Sequence, residues 1–309
     1  MPEVPTLISI VGPTAVGKTR LSIQLAQHFG TEIISGDSRQ MYRYLDIGTA
    51  KPDAEERAGI PHHLLDFLEP DQSYNAGQFE RDVEALLPNL FAKHPVVIVV
   101  GGSTLYMDAL WFGFHEMPEI PPAIRNQLNQ RLQTEGLAAL QQELAQVDPV
   151  TFERIDQQNP ARIIRALEVF HASGTPISVF RKGREPKETP YRQLKIGLTD
   201  DRASLYERIN HRVLQMLEAG LEQECTSLLE KGYSPDSQAF RSIGYQEMFP
   251  YLRGEMDQEE AIRLIQRNSR RYAKRQLTYY RRYPDIEWFQ ATEVDRVLPW
   301  VASKMKEGK

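Results

Sequence analysis

Three features of the sequence predict an α/β fold with a parallel sheet core and a helical insertion. A short apolar run passes into a glycine loop and then a helical pattern at residues 6–26. Further strand-like runs alternate with helical patterns, the order that builds a doubly wound parallel sheet. Between about residues 113 and 190 the alternation stops, and polar, helical sequence takes its place.

The opening stretch reads TLISIVGPTAVGKT. Leu7, Ile8, Ile10 and Val11 form a run of buried-strand type, bounded by Gly12. Gly12, Gly17, Lys18 and Thr19 fit G-x-x-x-x-G-K-[ST], and Leu21, Ile23, Leu25 and Ala26 continue as a helix. Strand, loop and helix in this order make the core P-loop NTPase-like. The cradle spans Gly12, Pro13, Thr14, Ala15, Val16, Gly17, Lys18 and Thr19. Its backbone N–H groups and the positive end of the helix favour a phosphate anion. Lys18 adds a full charge, and the Thr19 hydroxyl is placed to hold a Mg²⁺ that bridges phosphate oxygens. The motif predicts a bound di- or triphosphate without deciding whether ATP is hydrolysed. Motor-type ATPases carry a second apolar strand that ends in Asp. Here the candidate, PVVIVV at residues 95–100, runs into Gly101, Gly102 and Ser103, and no acidic residue follows. A diphosphate leaving group therefore stays open.

Residues 32–35, EIIS, read as the second strand, closed by Gly36, Asp37 and Ser38. Asp37 then stands at the rim where ligands of such sheets bind. A carboxylate there can be a base, a metal partner or the N-cap of a helix over residues 39–44. Residues 46–66 read as loop, with a short helix near 54–58. The adjacent His62 and His63 suit structural or substrate-contact roles better than chelation. Residues 76–91 predict a helix, 95–100 the next core strand and 103–111 another helix.

The catalytic core is expected over residues 1–115 and 190–309, with the helical insertion at 116–189. Leucines recur at helical spacing in the insertion. Asn159, Pro160 and Gly174 frame a helix over 161–173, which carries Arg162 and Arg165. A charged, proline-bearing return follows at 180–191, FRKGREPKETPY. Residues 194–198 rejoin the sheet, and helices follow over 204–219 and 221–230. Arg208 and Arg212 share one face of the first of these. The tail beyond Trp300 is expected to fray.

Composition bounds the function. A chain of 309 residues, 41% hydrophobic and 26% charged, is ordinary globular material with room for one large domain or two smaller ones. The single cysteine, Cys225, permits no internal disulfide and reads as a helix-packing residue, which suits a reducing cytoplasm. No segment approaches a spanning helix, and the N-terminus lacks the form of a secretory signal. A net charge of −5 argues against a uniformly basic nucleic-acid binder. The local distribution argues otherwise. Residues 263–283, RLIQRNSRRYAKRQLTYYRRY, hold eight basic residues and no acidic one. Residues 263, 267, 270, 271, 274, 281 and 282 fall in one helical stripe, opposite Ile262, Ile265, Ala273, Leu277 and Tyr280. With Tyr272, Tyr279 and Tyr283 interleaved, the stripe suits a phosphate backbone with stacked bases. A solvated basic face is the alternative.

A phosphate cradle, a rim carboxylate and a basic aromatic helix point to group transfer from a diphosphate donor to a nucleic-acid acceptor. A small-molecule transferase using the same loop, such as one acting on AMP, would explain the cradle but not the basic helix. A non-catalytic RNA binder stabilised by nucleotide is the rival from another class.

A series of motifs narrows this. GPTAVGKT at 12–19, GDSRQMY at 36–42, DIGTAKP at 46–52, PHHLLD at 61–66, GGSTLY at 101–106, RALEVF at 165–170 and KRQLTYYRR at 274–282 run in order along the chain. Together they resemble the tRNA dimethylallyltransferase (IPP transferase) family. The resemblance implies dimethylallyl diphosphate as donor. The acceptor it implies is N6 of the adenosine just 3′ of the anticodon, in tRNAs reading codons that begin with U. The cradle would hold the donor's diphosphate, with Mg²⁺ at Thr19. Asp37 matches the family's general base, and Arg212 its diphosphate-stabilising arginine, with Lys18 beside them. Ser103 and Arg125 correspond to tRNA-contacting sites, as do Asp37, Ser38, Arg39 and Gln40. So do Ala161, Arg162, Ile163, Ile164 and Arg165, and Arg241, Ser242, Ile243, Gly244, Tyr245 and Gln246. The last such segment is Lys274, Arg275, Gln276, Leu277, Thr278, Tyr279, Tyr280 and Arg281. The insertion resembles the family's anticodon-gripping domain. A cytoplasmic monomer, with tRNA as partner and no membrane, is the implied setting. One departure stands out: Ser103 replaces the more frequent threonine of GGTxLY and keeps the hydroxyl.

Overall fold

The computed structural model describes residues 4–113, 117–180 and 186–307. Residues 1–3 of the N-terminus and 181–185 of the charged return lie outside the described residues. The chain divides into two compact units, one formed by Met1–Trp111 with Glu188–Lys309, the other by Phe112–Lys187.

The first unit begins with strand β1 (Thr6–Val11), helix α1 (Lys18–Phe29), strands β2 (Ile33–Ser35) and β3 (His62–His63), helix α2 (Ala76–Phe91), strand β4 (Val96–Val100) and helix α3 (Thr104–Phe112). In the second unit lie α4 (Pro122–Thr134), α5 (Leu137–Val147), α6 (Pro149–Arg154), α7 (Pro160–Ser173) and α8 (Ile177–Phe180). The first unit then resumes with β5 (Arg192–Thr199), α9 (Arg202–Glu218), α10 (Leu221–Glu230), α11 (Tyr245–Leu252), α12 (Gln258–Tyr280), β6 (Ile286–Gln290) and α13 (Val297–Lys306).

The six strands form one parallel sheet in the order β3-β2-β4-β1-β5-β6. β1 lies between β4 and β5 and is buried throughout. A parallel strand covered on both faces reads as a continuous apolar run, which is why TLISIV and VVIVV stood out in the sequence. Helix α1 packs Leu21, Leu25 and Ala26 against the sheet and stops at Gly30, whose φ of 58° takes the left-handed turn. Asn75 caps α2 in a reciprocal box with Gln78. The glycine loops after β1, β2 and β4 therefore gather at the strands' C-terminal edge, where such sheets bind ligands.

Several expectations are corrected here. Residues 54–58 form turns, not a helix, and so do residues 38–41 after Asp37. The sixth strand, β6, was not expected. It carries Glu287 and Gln290 outward and buries Ile286 and Phe289, so it lacks the apolar run of a two-sided strand. Beyond Trp300, residues 301–306 belong to α13, which is folded. Val297 and Val301 are buried in the main core, and Trp300 meets Phe289 edge-on at 5.7 Å.

The second unit surrounds its own core of Leu128, Leu140, Leu144, Ile163 and Leu167. Each such side chain contributes about 1.5–3 kcal/mol on leaving water. Glu168 is buried in this unit and takes a two-pronged hydrogen bond from Arg125, the second at 3.0 Å, with Arg165 at 3.5 Å.

Candidate active site

The phosphate loop leaves β1 at Gly12, whose φ is +144°. A Cβ there would fall 2.4 Å from the Leu198 carbonyl oxygen of β5, so only glycine lets the two chains pass. Ala15 accepts a left-handed φ of 63° at the loop's crest. Helix α1 has no side-chain cap, so its first-turn N–H groups remain for an anion. The Lys18 ammonium donates to the Pro13 carbonyl at 2.8 Å. Burial lowers its pKa to about 8; the Asp37 carboxylate opposes that and the Arg212 cation adds to it.

Two helices hold the loop from outside. Gln276 of α12 is buried and takes the Thr14 N–H on Oε1 at 2.9 Å, while its Nε2 donates to the Gly102 carbonyl at 3.0 Å. The Arg208 Nε of α9 donates to the Ala15 carbonyl at 3.1 Å. The Thr14 N–H is thus held by α12, while Thr14 itself lines both cavities of the rim.

At the rim, the Asp37 Oδ1 accepts the Arg39 N–H at 2.8 Å and the Gln40 N–H at 3.4 Å. This is a turn of the Asx kind. Asp37 thus closes a turn in place of the expected helix cap, and among the described residues Oδ2 takes no hydrogen bond. Ser103 is buried; its Oγ accepts the Ser38 N–H at 2.8 Å and donates to the Ser38 hydroxyl at 3.0 Å. Burial also lowers the pKa of Arg212, and the Asp37 carboxylate pushes it back up.

Two cavities open on this rim. The larger, of about 710 Å³, runs along the phosphate loop and includes Lys18, Thr19, His62 and Arg208. The smaller, of about 330 Å³, is walled by Ile209 and Val213 of α9, Ile265 and Tyr272 of α12, and loop residues near Gly48 and Ser242. Both include Thr14, Ala15, Asp37, Thr49 and Arg212. A carboxylate and a guanidinium thus stand where an anion cradle meets a half-apolar chamber.

Comparison with known proteins settles the family. The family described as IPP transferase matches residues 40–283. The chain belongs to the IPP transferase family. A relative from Cytophaga hutchinsonii, named tRNA dimethylallyltransferase, is 43% identical over 302 residues, covering 97% of this chain and 98% of that protein. The crystal structure of a tRNA isopentenylpyrophosphate transferase from Bacillus halodurans is 39% identical, with a TM-score of 0.73, covering 98% of this chain and 97% of that one. A eukaryotic dimethylallyltransferase, captured crystallographically acting on tRNA, is 27% identical with a TM-score of 0.78, over 93% of this chain and 74% of that one. The P-loop-like α/β core expected from the sequence is the fold of this family.

The segments matched to family tRNA contacts are not uniformly outward. Arg271, Lys274, Arg275, Arg281 and Arg282 are exposed, as are Arg39-adjacent Arg241, Gln246 and, on α7, Ala161 and Arg162. By contrast Gln276, Tyr280, Tyr245, Ile163 and Ile164 are buried, so their side chains hold the segments rather than face solvent. Leu277 packs on the main core. The N-terminal part of the basic stripe is also less free than it reads. Arg263 pairs with Glu260 at 2.6 Å, one turn before the acid-free window, and Arg270 donates to Asn210. Arg271, Lys274 and Arg275, which make no ion pair among the described residues, line a shallow groove with Thr278, Tyr279 and Arg282. There the Arg282 guanidinium lies 3.8 Å from the Tyr279 ring centre.

The His63 Nε2 donates to the Glu32 carboxylate at 2.6 Å, and His63 lines neither cavity, whereas His62 lines the larger one. Among the described residues no group of three or more His, Cys, Asp or Glu could hold a metal. Thr19 is exposed at the mouth of the loop. An ion there would take most of its oxygens from diphosphate and water, the mode Mg²⁺ favours, so the residues fit that ion. No helix among the described residues is long and apolar enough to cross a membrane.

Sequence reasoning did not assign roles to Arg208 or Glu224, and it gave Gln276 a place only among the tRNA-contacting residues, not as the tie between two glycine loops. The only signal was the four-residue spacing of Arg208 and Arg212.

Proposed function

We propose that this chain transfers the dimethylallyl group of dimethylallyl diphosphate to N6 of the adenosine 3′ of the anticodon, in tRNAs reading codons that begin with U, and releases diphosphate. The observation that carries this reading is the junction of the two cavities at Asp37, Thr14 and Arg212. The larger cavity takes the diphosphate and the smaller the adenine, so acceptor and donor approach the junction from opposite sides.

An exocyclic adenine amine is a weak nucleophile, because its lone pair is delocalised into the ring. Asp37 takes a proton from N6 as the N–C bond to the allylic carbon forms and the C–O bond to diphosphate breaks. Lys18, Arg212 and loop N–H groups meet the charge that develops on the leaving diphosphate. A Mg²⁺ held by Thr19 would neutralise part of that charge. Tyr272, whose hydroxyl burial and the Asp37 carboxylate push up to about 12, stays neutral and helps wall the chamber against water. The adenosine has to leave its stack to enter, at a cost of a few kcal/mol.

The RNA is assigned to Asp37, Ser38, Arg39, Gln40, Ser103, to residues 241–246 and to the exposed face of residues 274–281. The unit at 116–189 is assigned to the anticodon loop through Arg125 and residues 161–165. The enzyme acts as a cytoplasmic monomer. The test is incubation with total tRNA, Mg²⁺ and the prenyl donor, followed by nucleoside mass analysis, with AMP as a parallel acceptor. Prenylated adenosine from tRNA supports the reading, whereas label on AMP alone assigns a small-molecule prenyltransferase.

A further inference from the structure

Two loops that wall the smaller cavity are far apart in sequence, residues 46–49 and residues 241–246. One side chain ties them together. Glu224 of α10 accepts the N–H groups of Asp46 at 2.9 Å and Ile47 at 2.7 Å on Oε2. On Oε1 it accepts the Gly48 N–H at 3.0 Å and the Tyr245 hydroxyl at 2.5 Å. All four partners are donors. An ionised carboxylate is the side chain that only accepts, with about four lone-pair sites, so it satisfies the whole set. An amide of the same shape would turn an N–H against one of these donors.

The packing makes this bond set a spacer. Gly48 lies flat on the Tyr245 ring, and a Cβ there would come within 2.6 Å of it. Tyr245 is buried, and burial with the Glu224 carboxylate beside it holds its hydroxyl protonated as a donor. Gly48, Thr49, Ser242 and Gly244 all line the smaller cavity, whereas Glu224 lines neither cavity. It acts through the loops it holds.

We infer that Glu224 is a positioning residue for the acceptor: its carboxylate fixes the distance between the two loops that receive the adenosine. This rests on the smaller cavity being the acceptor chamber. Removing the side chain leaves three convergent N–H groups and a phenol, a nest that a small carboxylate can fill.

The test uses the full chain with an anticodon stem-loop and the prenyl donor. Glu224→Ala is expected to lower kcat/KM for the RNA by about tenfold or more, the scale of a misplaced acceptor. Its affinity for inorganic diphosphate should stay within about twofold, since the cradle is held by other residues. Glu224→Gln should be impaired as severely as Glu224→Ala. Formate should restore Glu224→Ala saturably and leave Glu224→Gln unrestored. Tyr245→Phe, which keeps the ring against Gly48 and removes one of the four bonds, gives a milder loss in the same assay and serves if Glu224→Ala does not fold. Unchanged kcat/KM in these variants would overturn the inference. So would parallel losses of RNA and diphosphate affinity without formate rescue, the mark of general destabilisation. A wild-type protein that transfers no prenyl group to RNA would instead refute the functional reading.

Discussion

The Gln276 side chain takes the Thr14 N–H at 2.9 Å, which fastens the phosphate loop to the helix that carries the basic groove. The same amide donates to Gly102, so two glycine-rich loops depend on one buried residue. Gln276→Leu leaves a buried N–H and a carbonyl unsatisfied, at about 1–3 kcal/mol each. We expect weaker diphosphate binding and a lower melting temperature, with stem-loop affinity unchanged. Calorimetric titration with diphosphate and with RNA separates these. A selective loss of RNA affinity would make Gln276 an RNA contact instead.

Asp37 has one oxygen bound in its own turn and the other at the cavity junction. Asp37→Ala should lower single-turnover transfer by roughly two to four decades, the range for a lost general base. RNA affinity should fall far less than the rate, since Asp37 is one of many assigned RNA contacts. A full rate in the variant would remove Asp37 from the proton-transfer role.

Lys18 carries a pKa of about 8 rather than 10.5. Its cost to the folded state is present at low pH and disappears as pH rises from about 8 toward 10.5, so this group makes stability rise across that window. Donor binding has the opposite sign. The cation is lost above about pH 8, so diphosphate affinity should fall there and binding should take up a proton. Titration calorimetry in buffers of different ionisation enthalpy reads this directly. Lys18→Arg should remove the inflection, at lower overall affinity.

Arg271, Lys274 and Arg275 make no ion pair among the described residues, whereas Arg263 is held by Glu260. Replacing the three by Gln should weaken stem-loop binding and reduce its salt slope by about one per cation lost. Arg263→Gln should change little. Equal effects from both substitutions would place the RNA elsewhere.

Much of this site could be read from the sequence because its parts are local. The phosphate loop is one contiguous segment whose glycines, lysine and threonine are required in order. The buried strands β1 and β4 announce themselves by apolar runs. What stayed hidden depends on pairs far apart. Gln276 and Thr14 are separated by 262 residues, and Glu224 and Gly48 by 176. No periodicity links them. Strand β6 was missed because this edge strand mixes exposed Glu287 and Gln290 with buried Ile286 and Phe289 and shows neither an apolar run nor a clean alternation, and α13 because Val297 and Val301 find their partners only once the sheet exists. Arg263 looked unpaired because Glu260 lies just outside the acid-free window.

The central claim is that the phosphate loop holds a prenyl diphosphate while an RNA adenine meets it at Asp37. A crystal structure with an unreactive thio analogue of dimethylallyl diphosphate and an anticodon stem-loop tests it most directly. The account predicts diphosphate in the loop against Lys18 and Arg212, and a flipped adenine with N6 between Asp37 and the allylic carbon. ATP preferred in the loop, with its γ-phosphate aimed into the smaller cavity, would contradict it.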